Sequence, residues 1–171
     1  MKQDYLDTDR KKIQKLLDGG IPIFEPGLDD VVQRTVAAGR LSFPTETEAA
    51  IAASEVVFIA VGTPPAGDGS ADLKYVEAAA RGKGQALDGY RVIVDKNTVP
   101  IGTARTVKLW IADELARRGV QHDFDVVSNP EFLREGTVVQ DFMHPDRVVR
   151  VSQGGARCVL RPAGGYNIEV L

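Results

Sequence analysis

Two carboxylates, Glu131 and Glu135, stand four residues apart in the stretch Ser128-Asn129-Pro130-Glu131-Phe132-Leu133-Arg134-Glu135-Gly136. A carboxyl group beside apolar side chains is poorly solvated, so it can hold a proton until near neutrality and exchange it with a ligand. The apolar run 124–127 before them reads as a short buried strand, which places the pair where a strand ends, with Pro130 fixing the turn. In open α/β sheets the crevice beyond the carboxyl ends of the strands is where ligands bind. Taken alone, Asn-Pro-Glu is a turn leading into a helix, and Glu135 is a first-turn carboxylate favoured by the helix dipole. Other polar groups fall at similar places. Gly62-Thr63-Pro64-Pro65 follows the apolar run 55–61, and Asn97 and Thr98 follow the run 91–96. Asp7 follows the short piece Tyr5-Leu6; by itself it is a solvated turn residue.

The elements that must position these groups alternate in type. Asp9 is placed to cap a helix carrying Ile13, Leu16 and Leu17, and Gly19-Gly20 ends it. A proline-punctuated loop, Ile21-Pro22-Ile23-Phe24-Glu25-Pro26-Gly27, leads into a helix through Leu28, Val32 and Val36 that Gly39 stops; Glu25 reads as part of a structural connector. Residues 41–43 form a short strand, and Thr45-Glu46-Thr47-Glu48 a capping box before Ile51. The run 55–61 is apolar on both faces, as a central parallel strand should be. After a flexible glycine-rich loop over 66–71, Asp72 starts a helix that Gly82 and Gly84 weaken and end early. The run 91–96 is a buried strand, followed by a long helix with Val107, Trp110, Ile111 and Leu115 inward and Gly119 as its stop. Strands alternating with helices at this spacing predict an α/β fold, a Rossmann-like doubly wound parallel sheet.

The bulk properties exclude several classes. At 171 residues the chain is about one domain. A net charge of -3 argues against nucleic acid or an acidic membrane held by charge. The longest apolar run is too short to span a bilayer, so no membrane partner is expected. The single cysteine, Cys158, excludes an internal disulfide and suggests a reducing compartment, with cytoplasm the default. No metal site is expected.

The stretch 128–136, continued by Thr137-Val138-Val139-Gln140-Asp141-Phe142-Met143-His144-Pro145-Asp146-Arg147, resembles the signature of the UDP-glucose/GDP-mannose dehydrogenase family. The Pro-Asp-Arg ending resembles the branch acting on UDP-glucose more than the GDP-mannose branch. The resemblance implies NAD-dependent oxidation of the C6 alcohol of a nucleotide sugar to a carboxylate, UDP-glucose to UDP-glucuronate, in two hydride transfers. It makes Glu131 the acid/base residue and has Thr98 position water. Glu131, Phe132, Leu133, Arg134 and Glu135 would contact the UDP-sugar, with Glu135 also near the nicotinamide. Asp7 would bond the adenosine ribose and so favour NAD over NADP, with Lys12 adding positive charge. Val61, Gly62, Thr63, Pro64 and Pro65 would pass over the dinucleotide. Lys96-Asn97-Thr98-Val99-Pro100 matches a family element except that Asn97 replaces a serine; the resemblance would make Thr98 and Val99 cofactor contacts, and Asn97 one of altered chemistry. His144 and Arg147 are read as structural.

Parts of the family pattern have no match in these residues. No Gly-x-Gly-x-x-Gly loop occurs, so the sheet is expected to be incomplete at its N-terminus, with two edges exposed. Cys158 does not sit in the family's cysteine motif, and neither the dimerisation region of the family's homodimers nor its second nucleotide-binding domain has a counterpart. The expected organisation is a partial dinucleotide-binding domain over 1–149 and a divergent tail over 150–171. Three functions follow: a dehydrogenase domain inactive alone, a non-catalytic truncated nucleotide-binding or interaction module, or a GDP-mannose dehydrogenase domain.

Overall fold

The computed structural model describes residues 2–67, 69–130, 133–144 and 151–152. Strand β1 (Gln3–Asp4) leads into helix α1 (Arg10–Leu17), α2 (Leu28–Ala37) and β2 (Leu41–Ser42). Then come α3 (Thr47–Ala52), β3 (Val56–Ile59), α4 (Lys74–Ala86), β4 (Arg91–Asp95), α5 (Thr103–Arg117), β5 (Phe124–Ser128), α6 (Val138–Met143) and β6 (Val151–Ser152). The strands form two sheets, β1-β2 and β3-β4-β5-β6, in the order given. Pairing is parallel except at the last pair, where β6 runs antiparallel to β5 through Val127↔Ser152 and Ser128↔Val151. This is the Rossmann-like α/β architecture that the alternation of elements predicts.

The core lies where α4 and α5 cover the four-stranded sheet. Ile59, Val76, Ala80, Leu87, Ile93, Val107 and Ile111 are buried there together. Burying an aliphatic side chain contributes about 1.5–3 kcal/mol, so this cluster holds the second half of the fold. α4 runs past Gly82 and Gly84 to Ala86, contrary to the expected early end. The reason is packing: a Cβ at Gly84 would lie 2.7 Å from Glu114 Cβ and 2.9 Å from the Ile111 carbonyl oxygen. Gly84 lets α4 press against α5, and that contact outweighs its poor helix propensity.

The exposed edge expected of an incomplete sheet is present: β3, read as central from its composition, pairs with β4 alone among the described residues, and Phe58 is 48 % exposed. Two other expectations are corrected. Trp110 packs at the rim of the core rather than inside it. Helix α3 is capped at Glu46, with no side-chain bond to the first turn, so Thr45 does not form the expected box. The base of the 66–71 loop is closed: Pro65 and Ala71 form a bridge, and Asp72 N–H donates to the Pro64 carbonyl at 2.9 Å. The stretch from 150, left unassigned by its pattern, supplies β6.

Candidate functional site

The loops after β3, β4 and β5 meet at the carboxyl ends of these parallel strands. Lys96 N–H donates to the Ile59 carbonyl at 2.9 Å, and Asn129 N–H to the Asp95 carbonyl at 2.8 Å, so the ladder extends one step past each strand. Asn97 then ties two loops together. Its Oδ1 accepts from Val61 N–H at 2.9 Å, while its Nδ2 donates to Asp95 Oδ1 at 2.8 Å. Thr63 Oγ1 donates to the Thr98 carbonyl at 3.3 Å, a second tie between the same loops. Val61, Gly62, Thr63, Asn97, Thr98 and Val99 are thus brought together, with Pro64 and Pro65 continuing the wall.

Their side chains are not equally available. Asn97 is 5 % exposed and spends its amide inside the protein, pinning the Val61 loop rather than facing a ligand. Val61 and Val99 pack their side chains against the core, and the Val61 N–H is taken by Asn97. Gly62, Pro64, Pro65 and Thr98 are exposed. Gly62 has open space where a Cβ would stand, so nothing in the fold itself requires a glycine there. An absent side chain lets a flat ligand approach the backbone closely.

Beneath this wall lies Asp95, 0 % exposed. Oδ1 accepts from Asn97 N–H and Nδ2, whereas Oδ2 has no partner among the described residues. Burial pushes the carboxyl above its ordinary range, against the two bonds from Asn97 that pull it down.

Asp7 and Lys12 form a second group beyond the end of β1. The β1-β2 ladder continues through Tyr5 N–H to the Ser42 carbonyl at 2.9 Å, and Asp9 N–H donates to Asp7 Oδ1 at 2.8 Å. The Asp9 side chain in turn caps α1 by accepting from Lys11 N–H. Tyr5 OH and Lys12 Nζ both reach Asp7 Oδ2, at 3.1 and 3.4 Å. Burial raises the Asp7 pKa, but the bonds from Asp9, Tyr5 and Lys12 outweigh it and hold the group below the ordinary carboxylate range. Asp7 is therefore a fixed anion at a strand end, chemistry that suits paired ribose hydroxyls and disfavours a phosphate.

The third group follows β5. Glu131 and Phe132 lie outside the described residues, as do Arg147 and Cys158. Leu133 is partly buried, and Arg134 and Glu135 are exposed. Arg134 forks onto Asp141, Nε to Oδ2 at 3.1 Å and Nη2 to Oδ1 at 2.9 Å. With help from Thr137 Oγ1, this pair pulls the Asp141 carboxyl down to about 2. The exposed His144 follows α6. Glu25, which its sequence setting marks only as a connector, accepts from Gly136 and Val138 N–H. No local signal could reveal this, since the partners are 111 and 113 residues away.

The arrangement fits part of a dinucleotide. A fixed carboxylate at one strand end and a loop wall beyond others are present; no Gly-x-Gly-x-x-Gly cradle of the kind that holds a pyrophosphate occurs among these residues. A broad depression lined by Leu115, His122 and Phe124 opens at the amino end of β5, away from the strand-end loops. Among the described residues no helix is long and apolar enough to cross a membrane, and no cluster of acid, His or Cys side chains is placed to hold a metal ion.

Comparison with known proteins gives one consistent result. Residues 4–157 match the family model described as UDP-glucose/GDP-mannose dehydrogenase family, NAD binding domain. A UDP-glucose 6-dehydrogenase of Rhizobium meliloti is 53% identical over 145 residues, covering 84% of this chain and 32% of that protein. One from Bacillus subtilis is 50% identical over 143 residues, covering 84% and 30%. The solved UDP-glucose dehydrogenase of Pyrobaculum islandicum superposes with a TM-score of 0.81 at 45% identity, over 88% of this chain and 35% of that one. A GDP-mannose dehydrogenase from Pseudomonas aeruginosa gives 0.80 at 35% identity, over 87% and 35%. The chain spans about a third of the length of the relatives it matches.

Proposed function

The chain belongs to the UDP-glucose/GDP-mannose dehydrogenase family, and on that footing we propose that it is the cofactor-handling part of an NAD-dependent UDP-glucose 6-dehydrogenase. The observation that carries this reading is the convergence of the loops after three parallel strands, those after β3 and β4 tied by Asn97 and Thr63 and that after β5 joined through Asn129 N–H to the Asp95 carbonyl. Identities of 53% and 50% to UDP-glucose 6-dehydrogenases, against 35% to the GDP-mannose dehydrogenase, favour UDP-glucose as the sugar nucleotide. The dinucleotide-binding part runs over 1–149, and the protein acts in the cytoplasm.

When bound, NAD supplies the hydride acceptor for oxidation of the sugar C6 alcohol to a carboxylate. The residues of this chain bind, orient and move protons. Asp7, already ionised and held by three donors, accepts from the ribose hydroxyls, and Lys12 adds positive charge beside it. The loop of Val61, Gly62, Thr63, Pro64 and Pro65 covers the dinucleotide, while Asn97, Thr98 and Val99 hold that loop's other side. Glu131 takes and returns the proton at the reacting oxygen, Thr98 positions water, and the segment Phe132, Leu133, Arg134 and Glu135 faces the sugar nucleotide. The covalent chemistry of the family needs a cysteine motif that Cys158 does not supply, so we expect no turnover from these 171 residues alone.

The test pairs NAD and NADP titrations with an assay of NADH formation on UDP-glucose. NAD should bind at least tenfold tighter than NADP, and Asp7→Ala should erase the difference. Equal binding of NADP by the unchanged chain would remove Asp7 from the site. NADH formation by this chain alone would overturn the division of labour.

A further inference from the structure

In the loop of residues 21–28, Ile23 is 66 % and Phe24 91 % exposed, whereas Glu25 is 7 % exposed. This inverts the ordinary preference, in which apolar side chains turn inward and carboxylates face water. Something must hold the acid in. Its Oε2 accepts from Gly136 N–H at 3.0 Å and its Oε1 from Val138 N–H at 2.7 Å. A carboxylate accepting two backbone amides recovers the hydration it loses, and such charge-assisted bonds are stronger than neutral ones. Helix α6 needs this help: it has six residues, and the side chain of its own N-cap, Thr137, accepts no backbone amide of the first turn, its Oγ1 donating instead to Asp141 Oδ2. Gly136 has φ 87°, a left-handed turn that brings its amide round to the same carboxylate as Val138.

We infer that Glu25 is the positioning residue of the 133–136 segment. By gripping the amides on either side of Thr137, it sets where Leu133, Arg134 and Glu135 stand relative to the start of α2. The Arg134–Asp141 fork joins the segment to α6, the element that follows it, whereas Glu25 joins it to a loop far back in the sequence. The loop holding Glu25 is anchored in turn, since Leu28 N–H donates to the Glu25 carbonyl at 3.1 Å. The functional side of this inference rests on the proposed role of that segment in facing the sugar nucleotide. A contact 111 residues away in sequence would then couple the connector after α1 to the exposed Arg134 and Glu135.

Site-resolved amide hydrogen exchange on the 171-residue chain tests it, comparing the unchanged protein with Glu25→Gln and Glu25→Ala. Glutamine keeps the size and one acceptor oxygen but turns an N–H toward one of the two amides. Exchange at Gly136 and Val138 should rise at least tenfold in both variants, while the amides of β4 stay within twofold. Unchanged exchange at those two amides would overturn the inference. So would a uniform rise across β4 in Glu25→Gln, the variant that preserves shape. A further run with UDP-glucose on the unchanged chain separates the two claims. If Glu25→Gln loosens Gly136 and Val138 but UDP-glucose leaves residues 133–136 unprotected, the clamp stands and the substrate reading of the segment falls.

Discussion

The two halves of this chain are held by different means. Around β3, β4 and β5, helices α4 and α5 bury a continuous aliphatic cluster, and Arg81 spans the helix pair through Glu77, Asp113 and Glu114. Around β1 and β2, α2 buries no residue and α1 buries only Ile13. That half relies on directed bonds: the Asp9 cap, the Asp7 knot, the contact between Ser42 and Asp4, and the Glu25 clamp. Apolar burial is non-directional and forgives small shifts, whereas a hydrogen bond is lost within an ångström. The second half therefore serves as the platform, and the first half gains its shape from what it bonds to.

One substitution made in both halves should expose this contrast most sharply. Val107→Ala on α5 removes a fully buried side chain and should cost about 2–3 kcal/mol by transfer and cavity terms. Val36→Ala on α2, where the side chain is 41 % exposed, should cost under about 0.5 kcal/mol. Denaturant unfolding measures both, and equal losses would erase the distinction between platform and dependent half.

The next largest effect lies within the platform. Replacing a helix-interior glycine by alanine ordinarily gains about 0.5–1 kcal/mol, and Gly82→Ala should do so, since its added Cβ meets nothing within 4 Å. Gly84→Ala should instead lose about 1–3 kcal/mol by driving α4 off α5. A gain at Gly84 in thermal unfolding would mean the two helices are less tightly seated than they stand here.

The smallest effect concerns Asp95, where the platform meets the site. Burial raises its folded pKa above the unfolded value, so the native state holds the proton more tightly. The resulting stability is fully present below the unfolded pKa of about 3.9 and is lost as pH rises through the folded pKa. Unfolding measured from pH 4 upward should show the unchanged protein losing ground relative to Asp95→Asn, which cannot titrate. A pH-independent difference between the two would refute the sign.

The platform was largely legible in the sequence because its signals are local and periodic. The aliphatic stretches 92–94 and 126–127 with their flanks and the stripe of Val107, Ile111 and Leu115 lead directly to β4, β5 and α5. Asp9 was legible as a cap because its partner is two residues away. What escaped depends on neighbours distant in sequence. Gly84 looks like a helix breaker until Glu114 and Ile111 are placed against it. The 55–61 run looks central because it is apolar throughout from Val56 to Val61, yet its pairing is one-sided among the described residues. Asn97 looks like an altered ligand contact until Val61 and Asp95 are seen to occupy its amide. Glu25 gives no hint of its reach.

That reach has a consequence in time. A chain made from its N-terminus at about 5–20 residues per second presents Glu25 on the order of 5–20 s before Gly136 exists. Through that interval the carboxylate remains hydrated and the loop around it is free to sample other contacts, including those of chaperones. The strands that carry the wall, β3 to β5, are all complete before the clamp can close. Closure therefore follows the synthesis of β3 to β5, and a ribosome-stalled chain ending before residue 136 would display Glu25 as an ordinary surface acid.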